Sequence, residues 1–232
     1  MKTTALIMAA GRGNRLGGEI PKQFHRLMDK PLLNYCLEAF EYMPEIDSII
    51  VVLPPEYAQM VQVRMDLKPF QKIVNIIPGG ERRQDSVWNG LKALPEITEY
   101  VMIHDGVRPF PPIKEIRKAL EVAREFGAAI LALPVMDTIK MGGQGDNIQM
   151  TLDRSRLWAA QTPQIFRKKL ILEAYQKGQR ENKTFTDDAA AVENLGYPVR
   201  LVTGSSYNIK ITQVEDLSIA AGIFQSRKEG QV

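Results

Sequence analysis

An apolar run, Ala5-Leu6-Ile7-Met8, opens directly into Ala9-Ala10-Gly11-Arg12-Gly13-Asn14-Arg15-Leu16, then Gly17-Gly18-Glu19-Ile20-Pro21-Lys22-Gln23. Glycines let a backbone pass close to a polyphosphate and aim N–H groups at its oxygens. Arg15 and Lys22 put positive charge where a phosphoryl group gains negative charge during transfer. An ordinary βα turn with two solvated cations has the same composition, so spacing must discriminate. A P-loop needs Gly-x-x-x-x-Gly-Lys-Ser/Thr, and no Gly-Lys pair occurs in the chain. A dinucleotide fingerprint needs Gly-x-Gly-x-x-Gly, followed about twenty residues on by an acid for the ribose. Gly11 and Gly13 fit, but Leu16 stands at the third glycine and Pro31-Leu32-Leu33 where the acid belongs. The stretch therefore reads as a phosphate cradle of a third kind.

Other polar clusters follow apolar runs in the same way. Gly79-Gly80 with Asp85-Ser86 follows one, His104-Asp105-Gly106-Val107-Arg108 another, and Asp137-Thr138 a third; Asn208-Ile209-Lys210 comes late in the chain. Asp105 is the best metal-ligand candidate, because Mg²⁺ takes one or two carboxylates plus substrate phosphates. A turn-capping aspartate is the alternative. Asp85 and Ser86 can equally cap a helix, and Arg108 and Lys210 can pair with surface carboxylates. Neither His25 nor His104 has zinc-ligand spacing, and no Gly-x-Ser-x-Gly elbow is present, so both histidines read as structural. Cys36, among Leu33, Leu37 and Phe40, reads as a buried apolar residue.

The elements that must position these groups alternate. Strands are expected at Thr4–Ala9, Ser48–Leu53, Lys72–Ile77, Tyr100–His104, Ala128–Leu133 and Val199–Val202. Helices are expected at Pro31–Met43, Asp85–Leu94, around Ile113–Ala123, and at Lys168–Gly178, Asp187–Gly196 and Gln213–Ser226. This order predicts an α/β fold, a Rossmann-like, mainly parallel twisted sheet with helices on both faces. In such sheets ligands gather at the carboxyl ends of the strands, where the polar clusters fall. Thr138–Leu157 breaks the pattern: two short runs flank Gly142-Gly143-Gln144-Gly145-Asp146-Asn147, a hairpin signal. It reads either as a surface hairpin or as an arm paired with a second subunit, and the hazard of exposed strands favours the arm.

The 232 residues suit one domain, with 44% hydrophobic and 25% charged residues. A net charge of +3 without a dense basic block disfavours nucleic-acid binding. A single cysteine excludes an intrachain disulfide. No apolar run is long enough to span a bilayer, and no signal-peptide pattern follows Lys2. The expected location is cytoplasmic, with no membrane partner.

Taken together, these segments resemble the 2-C-methyl-D-erythritol 4-phosphate cytidylyltransferases of the non-mevalonate isoprenoid pathway. The resemblance covers nearly the whole chain. It is carried by Ala9-Ala10-Gly11-x-Gly13-x-Arg15 with Pro21-Lys22-Gln23, Gly79-Gly80 with Asp85-Ser86-Val87, and His104-Asp105 with Arg108-Pro109. It continues through Pro134-Val135 with Asp137-Thr138-Ile139-Lys140, Leu157-Trp158 with Gln161-Thr162-Pro163-Gln164, Thr186-Asp187-Asp188-Ala189, and Asn208-Ile209-Lys210-Ile211-Thr212. Leu16, Gly106-Val107 and Tyr207 depart from the common pattern; a Tyr before Asn-Ile-Lys is similar to the sister ribitol-5-phosphate cytidylyltransferases.

The resemblance implies a single nucleotidyltransferase domain over residues 1–232, with a dimerisation arm at about 138–157. It implies cytidylyl transfer from CTP to a sugar-alcohol phosphate with Mg²⁺ or another divalent cation, in a homodimer with shared active sites. On that footing Arg15, Lys22 and Lys210 act on the transferring phosphate, and Asp105 holds the metal. Ala9, Ala10, Gly11, Gly13, Gly79, Gly80, Asp85, Ser86, Asp105 and Gly106 bind the nucleotide, and Arg108, Thr138, Arg154 and Thr162 the acceptor. The competing readings are a ribitol-5-phosphate enzyme and a non-catalytic CTP-binding module.

Overall fold

The computed structural model describes residues 1–11, 20–64 and 70–229. In chain order the elements begin with β1 (Thr3–Met8), the short ribbon of β2 (Arg26–Leu27) and β3 (Lys30–Pro31), α1 (Leu32–Glu41), β4 (Ser48–Leu53), α2 (Pro55–Arg64) and β5 (Ile73–Pro78). They continue with α3 (Arg83–Lys92), β6 (Tyr100–Asp105), α4 (Ile113–Phe126), β7 (Ala128–Pro134), β8 (Lys140–Gly142), β9 (Ile148–Thr151) and β10 (Trp158–Arg167). The chain closes with α5 (Lys168–Arg180), α6 (Asp188–Glu193), β11 (Arg200–Thr203) and α7 (Glu215–Lys228).

The main sheet has the strand order β11-β7-β10-β6-β1-β4-β5. Pairings along it are parallel except those of β10, which runs antiparallel to both β6 and β7. Period-2 alternation sorts the central strands between two apolar layers. Ala5 and Ile7, Ile49 and Val51, and Tyr100 and Met102 face α1 and α4. Leu6 and Met8, Ile50 and Val52, and Val101 and Ile103 face α3, α5 and α6. Because both faces are covered, these strands read as unbroken apolar runs, which is why they are easy to find in the sequence. A third cluster beneath α7 joins Leu27, Leu32, Tyr35, Phe110 and Ile211 to Ala220 and Ile223.

The α/β expectation holds, and each expected strand is present within a residue or so. Besides the short β2–β3 ribbon, two elements were not anticipated. Residues 55–60 at the start of α2 carry no apolar stripe to mark a helix. β10 is hidden because its middle, Gln161-Thr162-Pro163-Gln164, is polar and interrupted by a proline. Those polar residues are nonetheless buried, and Pro163 sits where the register with β7 shifts, a place where a strand tolerates a missing N–H. Residues 140–151 form the expected hairpin, with β8 paired antiparallel to β9 and both exposed along their length.

Gly127 closes α4 in a left-handed conformation at φ +85°, its N–H donating to Ala123 C=O at 2.7 Å. A Cβ there would also lie 2.7 Å from the Tyr197 hydroxyl oxygen, which donates to Phe126 C=O. Gly127→Ala is expected to cost at least about 1–2 kcal/mol of stability. Urea unfolding measures the loss, and specific activity below the melting temperature should stay unchanged.

Candidate active site

The carboxyl ends of β1, β4, β5 and β6 surround a cavity of about 790 Å³. Its lining includes Ala9, Ala10, Gly11, Lys22, Gly79, Gly80, Ser86, Asp105 and Lys210. The register explains the meeting: Met8 pairs with Asp105, and Gly79 N–H donates to Leu53 C=O at 2.8 Å. Gly79 is packed so closely that a Cβ would fall 2.4 Å from Ala10 Cβ and 2.9 Å from Ser86 Oγ. Ser86 in turn accepts the Gly80 N–H at 3.0 Å, holding the loop against α3.

Asp105 is the electrostatic centre. Its carboxylate is nearly buried, yet three cations reach it: Lys210 Nζ at 2.8 Å, Arg83 Nη2 at 3.6 Å and Arg108 Nε at 3.8 Å. Burial by itself raises the pKa of this carboxyl, but Arg83, then Lys210 and Arg108, outweigh burial and hold it down at about 2. Positive charge therefore exceeds negative charge around one fixed anion, and the surplus faces a cavity sized for a ligand.

The backbone of Asp105 is anchored from β10. Thr162 Oγ1 accepts the Asp105 N–H at 3.0 Å and lies 3.2 Å from His104 Nδ1. His104 Nε2 must be the protonated nitrogen, since it lies 3.2 Å from the Arg108 carbonyl, which can only accept. Nδ1 then accepts from the Thr162 hydroxyl, and every polar atom of this chain of contacts is used. Burial holds the His104 imidazole down at about 4, so it is a neutral strut across the Asp105–Arg108 turn. Thr162, expected on the acceptor, thus has its hydroxyl engaged in that strut.

The Lys210 segment is tied to the same strand. Asn208 Nδ2 donates to Thr162 C=O at 2.8 Å, Gln161 Nε2 to Ser205 C=O at 2.9 Å, and Ile211 N–H to Val107 C=O at 2.9 Å. Arg108 Nη1 donates to Asn208 C=O at 2.5 Å. Asp216 on α7 accepts from Thr212 N–H, Thr212 Oγ1 and Gln213 N–H. Lys22 is carried by a short helical turn, Lys22–Phe24. Its neighbour Gln23, buried, donates to Ala9 C=O at 2.6 Å and so ties that turn to the end of β1.

Other expected residues lie apart from the cavity. Gly106 sits behind it, packed against Ala9 and Leu33. Asp85 takes part in an α3 capping box, accepting the Arg82 N–H and pairing with the Arg82 guanidinium, the capping alternative raised by its sequence position. Thr138 and Arg154 belong to the exposed arm, where Arg154 Nη1 donates to Met136 C=O at 2.5 Å. Gly13 and Arg15 lie outside the described residues. Sequence reasoning passed over Gln23 and Arg83, which line the cavity, and Asp188, which orients Arg83 at 2.8 Å.

Among the described residues, no group of three or more His, Cys, Asp or Glu is arranged to hold a metal. Asp105 nevertheless suits a Mg²⁺ that draws its remaining ligands from phosphates and water. Cys36 is buried with its thiol directed at Leu33 C=O, and burial pushes its pKa up, so it is no nucleophile.

A mainly parallel sheet with a glycine-lined cavity at its carboxyl ends and a surplus of cations is the arrangement a nucleotidyltransferase calls for. The particular family follows from sequence. The family profile for 2-C-methyl-D-erythritol 4-phosphate cytidylyltransferase matches residues 3–226, and the chain belongs to that family. It is 45% identical over 234 residues to the enzyme of that name from Syntrophus aciditrophicus, covering 100% of this chain and 99% of the relative. The corresponding figures for the Desulforamulus reducens protein are 44% over 225 residues and 96% of each chain. The crystal structure of 4-diphosphocytidyl-2C-methyl-D-erythritol synthase from Anaerococcus prevotii matches with TM-score 0.85 at 31% identity, over 97% of this chain and 96% of that one. The Thermus thermophilus structure matches with TM-score 0.80 at 32% identity, over 97% and 100%.

The strut makes a pH prediction. The unfolded chain takes up a proton on His104 near the ordinary value of 6.5, whereas the native ring resists until about 4. The contribution is therefore complete above 6.5 and lost as pH falls to about 4. This single group is expected to remove roughly 3 kcal/mol of stability over that window. Urea unfolding across the window should show the slope, and His104→Gln should flatten it.

Proposed function

We propose that this chain transfers the cytidylyl group of CTP to 2-C-methyl-D-erythritol 4-phosphate. The products are 4-diphosphocytidyl-2-C-methyl-D-erythritol and pyrophosphate, in non-mevalonate isoprenoid precursor synthesis. The observation that carries this reading is the buried Asp105 carboxylate ringed by Arg83, Arg108 and Lys210 at the mouth of the cavity. A phosphate oxygen of the acceptor attacks the α-phosphorus, and the bond from that phosphorus to the bridging oxygen of pyrophosphate breaks. The nucleophile is already anionic, so the chemistry calls for no strong base. The barrier lies in bringing two polyanions together and stabilising charge at the α-phosphate, which positioning and fixed cations supply.

Lys22 and Lys210 reach the transferring phosphate from opposite sides, joined by Arg15 on the strength of the family resemblance. The Ala9–Gly11 backbone and Gly79–Gly80 approach the nucleotide, and Arg108, buried beside Asn208, is assigned to the acceptor on the family resemblance. Asp105 would hold a Mg²⁺ brought with the nucleotide, which when bound would supply positive charge to offset that of the triphosphate.

The arm supports a homodimer with shared sites. A two-stranded ribbon is marginally stable by itself, and this one exposes Met141 (40%), Ile148 (64%) and Met150 (49%). A partner subunit would cover that surface and receive Thr138 and Arg154. Among the described residues no helix is long and apolar enough to cross a membrane.

Pyrophosphate release with CTP and each acceptor in turn tests the reading. Turnover with 2-C-methyl-D-erythritol 4-phosphate supports it. Turnover only with ribitol 5-phosphate, or CTP binding without release, overturns it. Lys22→Ala is expected to lower kcat by roughly 100- to 1,000-fold, the scale of losing one group aimed at a transition state. Stopped-time assays at saturating substrate check this. Mixing Lys22→Ala subunits with Arg154→Ala subunits should restore part of the activity, since half of the mixed dimers' sites are then intact. The lack of any recovery after confirmed subunit exchange would exclude sharing.

A further inference from the structure

The cations around Asp105 are held in different ways. Lys210 meets the carboxylate through one ammonium on a side chain that is 40% exposed, and a lysine stem can swing. Arg83, at the start of α3, is instead gripped from behind by Asp188, which is fully buried in the first turn of α6. Arg83 Nη1 donates to Asp188 Oδ1 at 3.1 Å and Nη2 to Oδ2 at 2.8 Å. Such a two-pronged pair fixes the plane of the guanidinium as well as its distance. Tyr175 on α5 donates its hydroxyl to Asp188 Oδ1 at 2.6 Å, and the Tyr175 ring stacks on Trp88 of α3.

The grip continues through the backbone. Gln164 Oε1 on β10 accepts the N–H groups of Asp188 and Ala189 at 3.1 and 2.9 Å. Gln84, next to Arg83, donates to Lys183 C=O and accepts the Phe185 N–H at 3.0 Å. Arg83 Nη2 is thus bonded to Asp188 and only faces Asp105, 3.6 Å from its Oδ1.

We propose that Asp188 is a positioning residue for cytidylyl transfer: with Tyr175 it locks the Arg83 fork, so that Arg83 stays against Asp105 when Lys210 turns to the triphosphate. The proposal rests on the reading of Asp105 and Lys210 as parts of the cytidylyl-transfer site. An unrestrained arginine at this cavity would follow the phosphates, since its fork matches them well. Asp105 would then keep only Arg108 of its protein counter-charges beside the Mg²⁺ it is proposed to hold. Asp188 prevents this by offering Arg83 a buried partner that no ligand displaces.

A double-mutant cycle tests the proposal, with pyrophosphate release, CTP affinity by calorimetry and melting temperature measured on each variant. Tyr175→Phe, the mildest change, should lower kcat roughly three- to tenfold with CTP affinity altered less than kcat. Asp188→Asn should lower kcat roughly a hundredfold, on the scale of mispositioned catalytic geometry. In an Arg83→Met background Asp188→Asn should bring no further loss of kcat, and it should raise the melting temperature of Arg83→Met by removing an unpaired buried charge. Multiplicative losses of kcat in the double variant would overturn the proposal. So would a Tyr175→Phe enzyme whose kcat is unchanged below a lowered melting temperature. Full turnover by Lys210→Ala would overturn the site reading itself, and the proposal with it.

Discussion

One carboxylate sets the terms for this molecule. A site for two polyanions must gather cations, and cations packed together repel one another and the compact state. Asp105 resolves that conflict by sitting at the end of β6, nearly buried, within 4 Å of Arg83, Arg108 and Lys210. It is tolerable there because each charge has a counter-charge and its backbone N–H has a partner in Thr162. The surrounding architecture reads as support for that anion. β1 and β6 bring it to the cavity, β10 fixes its main chain, and α6 supplies the second acid that shares the burden of Arg83.

Much of the fold was legible because its central strands are buried on both faces. Runs such as Ser48–Leu53 and Val101–Ile103 have few alternatives to a parallel sheet. The cavity edge at Ala9–Gly11 and the Asp105 turn were legible for a related reason, since polar residues directly following such runs must lie at a strand end. β10 escaped because its inward groups are Gln161, Thr162 and Gln164, which are buried to make hydrogen bonds rather than to escape water. A strand specified by polar function carries no apolar alternation.

The Arg83–Asp188 pair escaped for a different reason. Its partners are 105 residues apart, and nothing local to either one names the other. A faint signal did exist in Asp187-Asp188 ahead of three alanines. One acid suffices to cap α6, and Asp187 does so by accepting the Ala190 N–H, which leaves Asp188 surplus to capping. The exposed arm illustrates the converse case. Its hairpin was visible in the sequence, but Thr138 and Arg154, proposed to serve a partner's site, lie away from the cavity of their own chain.

β10 has one further consequence. It is threaded between β6 and β7, with Phe166 and Ile165 filling the core on opposite faces while Gln161, Thr162 and Gln164 brace the site. Core packing and the groups that hold Asp105 therefore belong to one strand. A shift of β10 that loosened the backbone of Asp105 would disturb the interior as well. Flexibility needed for turnover must come from side-chain stems and surface loops, and drift in the core is felt directly as drift in the chemistry.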